Sequence, residues 1–117
     1  MSNFLKKAVV AATLLGSSQA LLAGEAHYID VRTAEEYAAG HVSVAVNIPH
    51  GDIAGRISEI TEDKDAQIYV YCRSGNRSGQ AQKVLQEMGF TQVENLGSLQ
   101  EAREFASKNA SSSLIFD

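Results

Sequence analysis

Cys72 is the single cysteine of the chain, set in Val70-Tyr71-Cys72-Arg73-Ser74-Gly75-Asn76-Arg77-Ser78-Gly79-Gln80, between an apolar run and an arginine-containing turn. A strand, a six-residue turn and then a helix make an anion cradle. The N–H groups of the turn and of the first helical turn point inward, and the helix dipole adds positive potential. Gly75 permits a backbone conformation that other residues resist. Arg73 and Arg77 add two permanent charges. Such surroundings lower a thiol pKa and favour thiolate, the nucleophilic form. The plainer alternative is a small buried hydrophobe at a strand end. Two adjacent arginines argue against an apolar setting.

The elements that must hold this loop alternate along the chain. His27–Val31 is apolar and β-branched and predicts a strand. Thr33 with Glu36 three places later forms a capping box, so a short helix starts there and stops at Gly40. Ala45–Ile48 predicts a second strand, ended by Pro49. Ile53, Ile57 and Ile60 share one face of a helix. Gln67–Tyr71 is the strongest strand pattern in the sequence. Ala81, Val84, Leu85 and Met88 recur at helical spacing from Ser78, and Gly89 ends that helix. Gln92–Asn95 predicts a fourth strand, and Leu99–Ala106 a last helix. Strands joined through helices imply right-handed crossovers and an α/β fold with a mainly parallel sheet. Ligands bind beyond the carboxyl ends of such strands, where Cys72 lies.

The stretch Cys72-Arg73-Ser74-Gly75-Asn76-Arg77-Ser78 resembles the active-site loop of rhodanese-domain sulfurtransferases. Tyr28-Ile29-Asp30-Val31-Arg32, Glu35-Glu36-Tyr37, Gly40-His41-Val42 and Ala45–Pro49 resemble that family's N-terminal signature, and Asn95–Leu99 its C-terminal one. The small size and the leader described below are most similar to the exported single-domain type, of the phage-shock-protein E kind. The resemblance implies a three-layer domain with a four- or five-stranded sheet and helices on both faces. It implies a sulfur relay in which Cys72 attacks the outer sulfur of thiosulfate, sulfite leaves, and cyanide or a thiol takes the sulfur from the Cys72 persulfide. Arg77 and Arg73 would orient the anionic donor, and the N–H groups from Arg73 through Ser74, Gly75, Asn76 and Arg77 to Ser78 would stabilise the persulfide. No metal or organic cofactor is implied.

Four other functions share this loop or fold. Dual-specificity phosphatases and arsenate reductases place five residues between cysteine and arginine. Here four separate Cys72 from Arg77, a loop better sized for a single sulfur than for a tetrahedral oxyanion. A persulfide carrier or a non-catalytic partner-binding module would carry the same sequence.

Asp30 and Arg32 read as a structural ion pair rather than an acid/base couple, and His41 as a loop histidine satisfied by backbone. His50, after Pro49, is expected to be exposed. Tyr69 and Tyr71 share one strand face and are expected to pack. The three histidines and the cysteine have no metal-ligand spacing. Two features depart from the family pattern. Ser98 stands for a second glycine, and the chain has no tryptophan, with Ala102 near the usual position. An earlier edge strand also has little room, which predicts an open sheet edge.

Lys6 and Lys7, the apolar run Ala8–Leu15 and then Ser18-Gln19-Ala20 read as a secretory signal peptide over residues 1–20, cleaved near Ala20 or Ala23. The run is too short to span a membrane. The folded domain is expected over 25–109 and a tail over 110–117, in a periplasmic monomer. Removing the leader takes two lysines and no acid, moving the formal charge from −4 to −6. Nucleic-acid binding is therefore not expected. An anion must be held by a local positive site against the overall field.

Overall fold

The computed structural model describes residues 26–116, with side chains through Asn109. The expected leader lies outside the described residues. Four parallel strands form one sheet in the order β2-β1-β3-β4, where β1 is Ala26–Asp30, β2 Val46–Asn47, β3 Gln67–Tyr71 and β4 Gln92–Gly97. The central pair β1 and β3 carries the most apolar sequence, since both faces of each are covered. The helices are α1 (Ala34–Ala39), α2 (Ile53–Arg56), α3 (Asn76–Glu87) and α4 (Leu99–Phe116).

Alternation along β3 divides the core. Ile68, Val70 and Cys72 face one layer with Ile29, Ile53, Ile57, Ala81 and Leu85. Tyr71 faces the other with Val42, Ala45 and Ala102, flanked by Tyr28 and Leu99. Tyr69 packs beside it, its ring 5.1 Å from Tyr28 and 4.7 Å from Phe105 of α4. The expected three layers are present. Ala102, near the usual tryptophan position, is wholly buried.

Several boundaries differ from the sequence pattern. β2 shrinks to two residues because it is an edge strand pairing only with β1. Ile53, Ile57 and Ile60 do pack inward together, but Ile53 is on a four-residue helix, Ile57 in the 3₁₀ turn Ile57–Glu59 that follows it, and Ile60 just beyond, with another 3₁₀ turn at His50–Asp52 before the helix. His50, expected at the surface, is half-buried within the first of these turns. α4 runs beyond Ala106 because no glycine or proline follows Leu99 to stop it.

Side chains brace the N-terminal segment. Asp30 and Arg32 are both buried, and Asp30 accepts from the Arg32 backbone N–H at 2.9 Å and from its guanidinium at 2.6 Å. Arg32 also donates to the Gly40 carbonyl at 2.6 Å. His41 Nδ1 donates to the Tyr37 carbonyl at 2.8 Å, and the two rings stack 3.6 Å apart. Thr33 and Glu36 form the capping box of α1.

Candidate active site

Cys72 follows the last residue of β3, and its own N–H donates to the Gly97 carbonyl at 2.9 Å. The chain then turns through Arg73-Ser74-Gly75 into α3. Gly75 takes φ 95°, and a Cβ there would sit 3.4 Å from the Gly97 backbone. The left-handed backbone favours glycine there. The turn thereby curls its amides over the sulfur, and Gly75 N–H donates to Cys72 Sγ at 3.0 Å. Burial pushes the Cys72 thiol up. The Ser78 hydroxyl and the N–H groups of Ser78, Ser74 and Gly75 outweigh it and bring the pKa down to about 7. The thiol therefore ionises more readily than an ordinary cysteine. The side chain is fully covered by protein.

Two residues outside the expected site tie this loop together. Between Val70 and Tyr71 the β3–β4 register steps from Asn95 to Gly97. That irregularity sets Asn95 against the cysteine turn. Asn95 Nδ2 donates to the Gly75 carbonyl at 2.9 Å, and Asn95 Oδ1 accepts from Gly97 N–H at 2.9 Å. The same oxygen lies 2.6 Å from Ser78 Oγ, which is also 3.4 Å from Cys72 Sγ. A hydroxyl has one proton, so Ser78 gives it to Asn95 or to the sulfur, not to both. Charge on sulfur draws it across.

Glu36, read from the sequence only as a helix cap, is the second. Its carboxylate accepts from both Arg77 Nη atoms, at 2.8 and 3.1 Å, and from Thr33 N–H at 3.0 Å. Arg77 first and Thr33 second hold the Glu36 carboxyl down to about 2. This pair fastens α1 to the start of α3. Arg77 is therefore already engaged, whereas Arg73 is exposed and meets no carboxylate among the described residues. Ser74 and Asn76 are exposed on the rim, and Ser78 is buried beneath it.

A groove of about 480 Å³ opens beside the loop, lined by Arg32, Glu36, Arg73, Ser98, Leu99 and Arg103 among others. Ser98, the residue in place of a second glycine, caps α4. Ser98 Oγ accepts from Glu101 N–H at 3.1 Å, and Glu101 accepts from Ser98 N–H at 2.9 Å. Among the described residues there is no cluster of histidine, cysteine and carboxylate side chains that could hold a metal ion. The arrangement supplies an activated nucleophile, a ring of N–H donors and an adjoining cationic groove.

Residues 17–103 match the model of the rhodanese-like domain. The chain is 43% identical over 96 residues to the thiosulfate sulfurtransferase PspE of Escherichia coli strain K12, spanning 82% of this chain and 90% of that protein. Among solved structures it is similar to a rhodanese with anions from E. coli, with a TM-score of 0.64 at 45% identity, covering 66% of this chain and 91% of the other. A human single-domain sulfurtransferase matches with a TM-score of 0.58 at 30% identity, over 77% of this chain and 92% of that one.

Proposed function

The chain belongs to the rhodanese-like domain family, and from that premise we propose that Cys72 carries sulfane sulfur from thiosulfate to a thiol or cyanide acceptor. The observation that supports this most directly is the convergence of loop N–H groups and the Ser78 hydroxyl on a sulfur whose pKa is brought down to about 7.

In the first step the Cys72 thiolate attacks the outer sulfur of thiosulfate. A new S–S bond forms, the donor's S–S bond breaks, and its electron pair leaves with sulfite. The negative charge now rides on the outer sulfur of the persulfide, where the curled loop amides stabilise it. In the second step the acceptor attacks that outer sulfur and Cys72 Sγ leaves as thiolate. The two half-reactions are ping-pong. Arg73 and Arg77 orient the donor, with Arg77 held at a fixed angle by Glu36. The four-residue spacing between Cys72 and Arg77 favours sulfur over a phosphate or arsenate group.

Intact-mass measurement before and after thiosulfate, and then after cyanide, tests the reading. A gain of one sulfur (~32 Da, the product of thiolate attack) that cyanide removes is expected. A gain that only a protein thiol removes would mark a dedicated carrier. No gain on demonstrably reduced protein would refute the sulfur relay. The protein works as a monomer after export to the periplasm and cleavage of residues 1–20. N-terminal sequencing of protein from the cell envelope checks the cleavage, and an intact Met1 there would refute it. Among the described residues no helix is long and apolar enough to cross a membrane.

A further inference from the structure

We infer that Asn95 is a positioning residue of the sulfur relay: it holds the Ser78 hydroxyl proton while Cys72 Sγ is uncharged and yields it when charge returns to that sulfur. This rests on the relay proposed above and adds a residue from outside the cysteine loop.

The burial of Ser78 motivates it. Ser78 is wholly buried, and a buried hydroxyl without an acceptor is costly. A thiolate is a good acceptor, whereas a neutral thiol or the inner sulfur of a persulfide is a weak one. Ser78 therefore needs a second acceptor in those two states. Asn95 Oδ1 is that acceptor, at 2.6 Å against 3.4 Å to Sγ.

Asn95 is also placed to give the proton up. Its Oδ1 accepts from Gly97 N–H and its Nδ2 donates to the Gly75 carbonyl, each at 2.9 Å. These two backbone partners fix which end of the amide meets Ser78. When the hydroxyl turns away, Oδ1 keeps the Gly97 N–H and is not orphaned. The amide oxygen is neutral, so a charged sulfur outcompetes it. A carboxylate at this position would hold the proton against the sulfur.

The relay uses this exchange twice. Loading moves the charge from Sγ to the outer sulfur, and the hydroxyl turns back to Asn95. Transfer to the acceptor breaks the Sγ–S bond, the electron pair goes to Sγ, and the hydroxyl turns to meet it. The proton stays on Ser78 throughout, and only its hydrogen bond changes partner. Asn95 thereby helps to set how readily Sγ leaves. The charged side chains on the surrounding elements are Arg73 of the turn, Arg77 of α3 paired to Glu36, the Asp30–Arg32 pair at the end of β1 and Glu101 of α4. None of them hydrogen-bonds to the side chain of Asn95 or Ser78 among the described residues, so their effect on the sulfur is common to every variant below.

A double-mutant cycle on the thiolate midpoint, read by ultraviolet absorbance with no donor present, tests the inference. Asn95 is exposed, so its side chain can be changed without opening the core. Asn95→Leu keeps the size and removes the acceptor. Ionisation then breaks no hydrogen bond, and the midpoint is expected to fall by about 0.7 unit, the size of one neutral hydrogen bond. Asn95→Asp holds the proton more firmly and is expected to raise the midpoint. Each shift is measured again in Ser78→Ala protein. Loosening of Gly75, and the direct effect of a new charge, are common to both backgrounds and cancel. The fall in Asn95→Leu and the rise in Asn95→Asp should each be larger with Ser78 present. Equal shifts in the two backgrounds would overturn the inference and leave Asn95 a brace on Gly75. A difference of the opposite sign would overturn it too. Either variant decides alone if the other fails to fold. Failure of thiosulfate to load Cys72 would sink the relay, whereas this cycle judges Asn95 separately.

Discussion

Ser78→Ala removes one hydroxyl from beneath the nucleophile. That hydroxyl lies 3.4 Å from Cys72 Sγ and 2.6 Å from Asn95 Oδ1, and heads the groups that bring the thiol down to about 7. A hydrogen bond to a charged group contributes about 1.5 kcal/mol, which is about one pKa unit. The long S···O contact places this one at the low end. The midpoint should therefore rise by about one unit, and the thiolate fraction at pH 6 fall about tenfold. A more basic thiolate is also a better nucleophile, by about threefold per unit at a Brønsted slope near 0.45. The two effects oppose below the midpoint and not above it. Persulfide formation should then be about threefold slower than wild type at pH 6 and about threefold faster at pH 9, with the curves crossing between about pH 7 and 8. Stopped-flow loading with thiosulfate across pH, alongside thiolate absorbance, measures both limbs. Parallel curves with an unmoved midpoint would refute the reasoning, because the hydroxyl would then never leave Asn95.

Cys72→Ser should abolish loading while keeping the melting temperature within a few degrees, read by intact mass and thermal unfolding. Gly75→Ala must hold a Cβ at φ 95° against the Gly97 backbone, a cost of about 1–2 kcal/mol, and should lose several degrees of Tm together with most sulfur loading. Glu36 has its folded pKa, about 2, below its ordinary value of 4.5. The unfolded chain therefore binds its proton first, and the stability from this group is complete above about pH 5 and lost as pH falls towards 2. Urea midpoints at pH 5 and pH 3 should accordingly fall further for wild type than for Glu36→Gln. Ser98→Ala removes a helix cap and should cost about 1 kcal/mol, measured in the same urea assay.

The alternation of strands and helices and the position of the nucleophile were legible because they rest on local pattern. β3 has the bounds its β-branched and aromatic run predicts, and Thr33 with Glu36 caps α1 as their spacing requires. What escaped is what the fold brings together from distant segments. Glu36 and Arg77 are 41 residues apart, so nothing local reveals that the cap also holds the loop arginine. Asn95 reaches Gly75 and Ser78 through a register shift in β4, which no periodicity announces. Ser98 is a different case. Ser98-Leu99-Gln100-Glu101 is itself a capping box, readable from the sequence alone, and it explains why serine replaces a glycine there.

The complete covering of Cys72 bears on whether a lone cysteine cross-links two copies of the chain. A disulfide between two copies needs their Cα atoms within about 7 Å. Here each sulfur lies under its own turn, behind the Arg73-to-Ser78 segment, and two such surfaces cannot interpenetrate that far. The turn is thus a cover as well as a cradle for the sulfur. A thiol can be kept ionised for sulfur traffic and still be spared cross-linking.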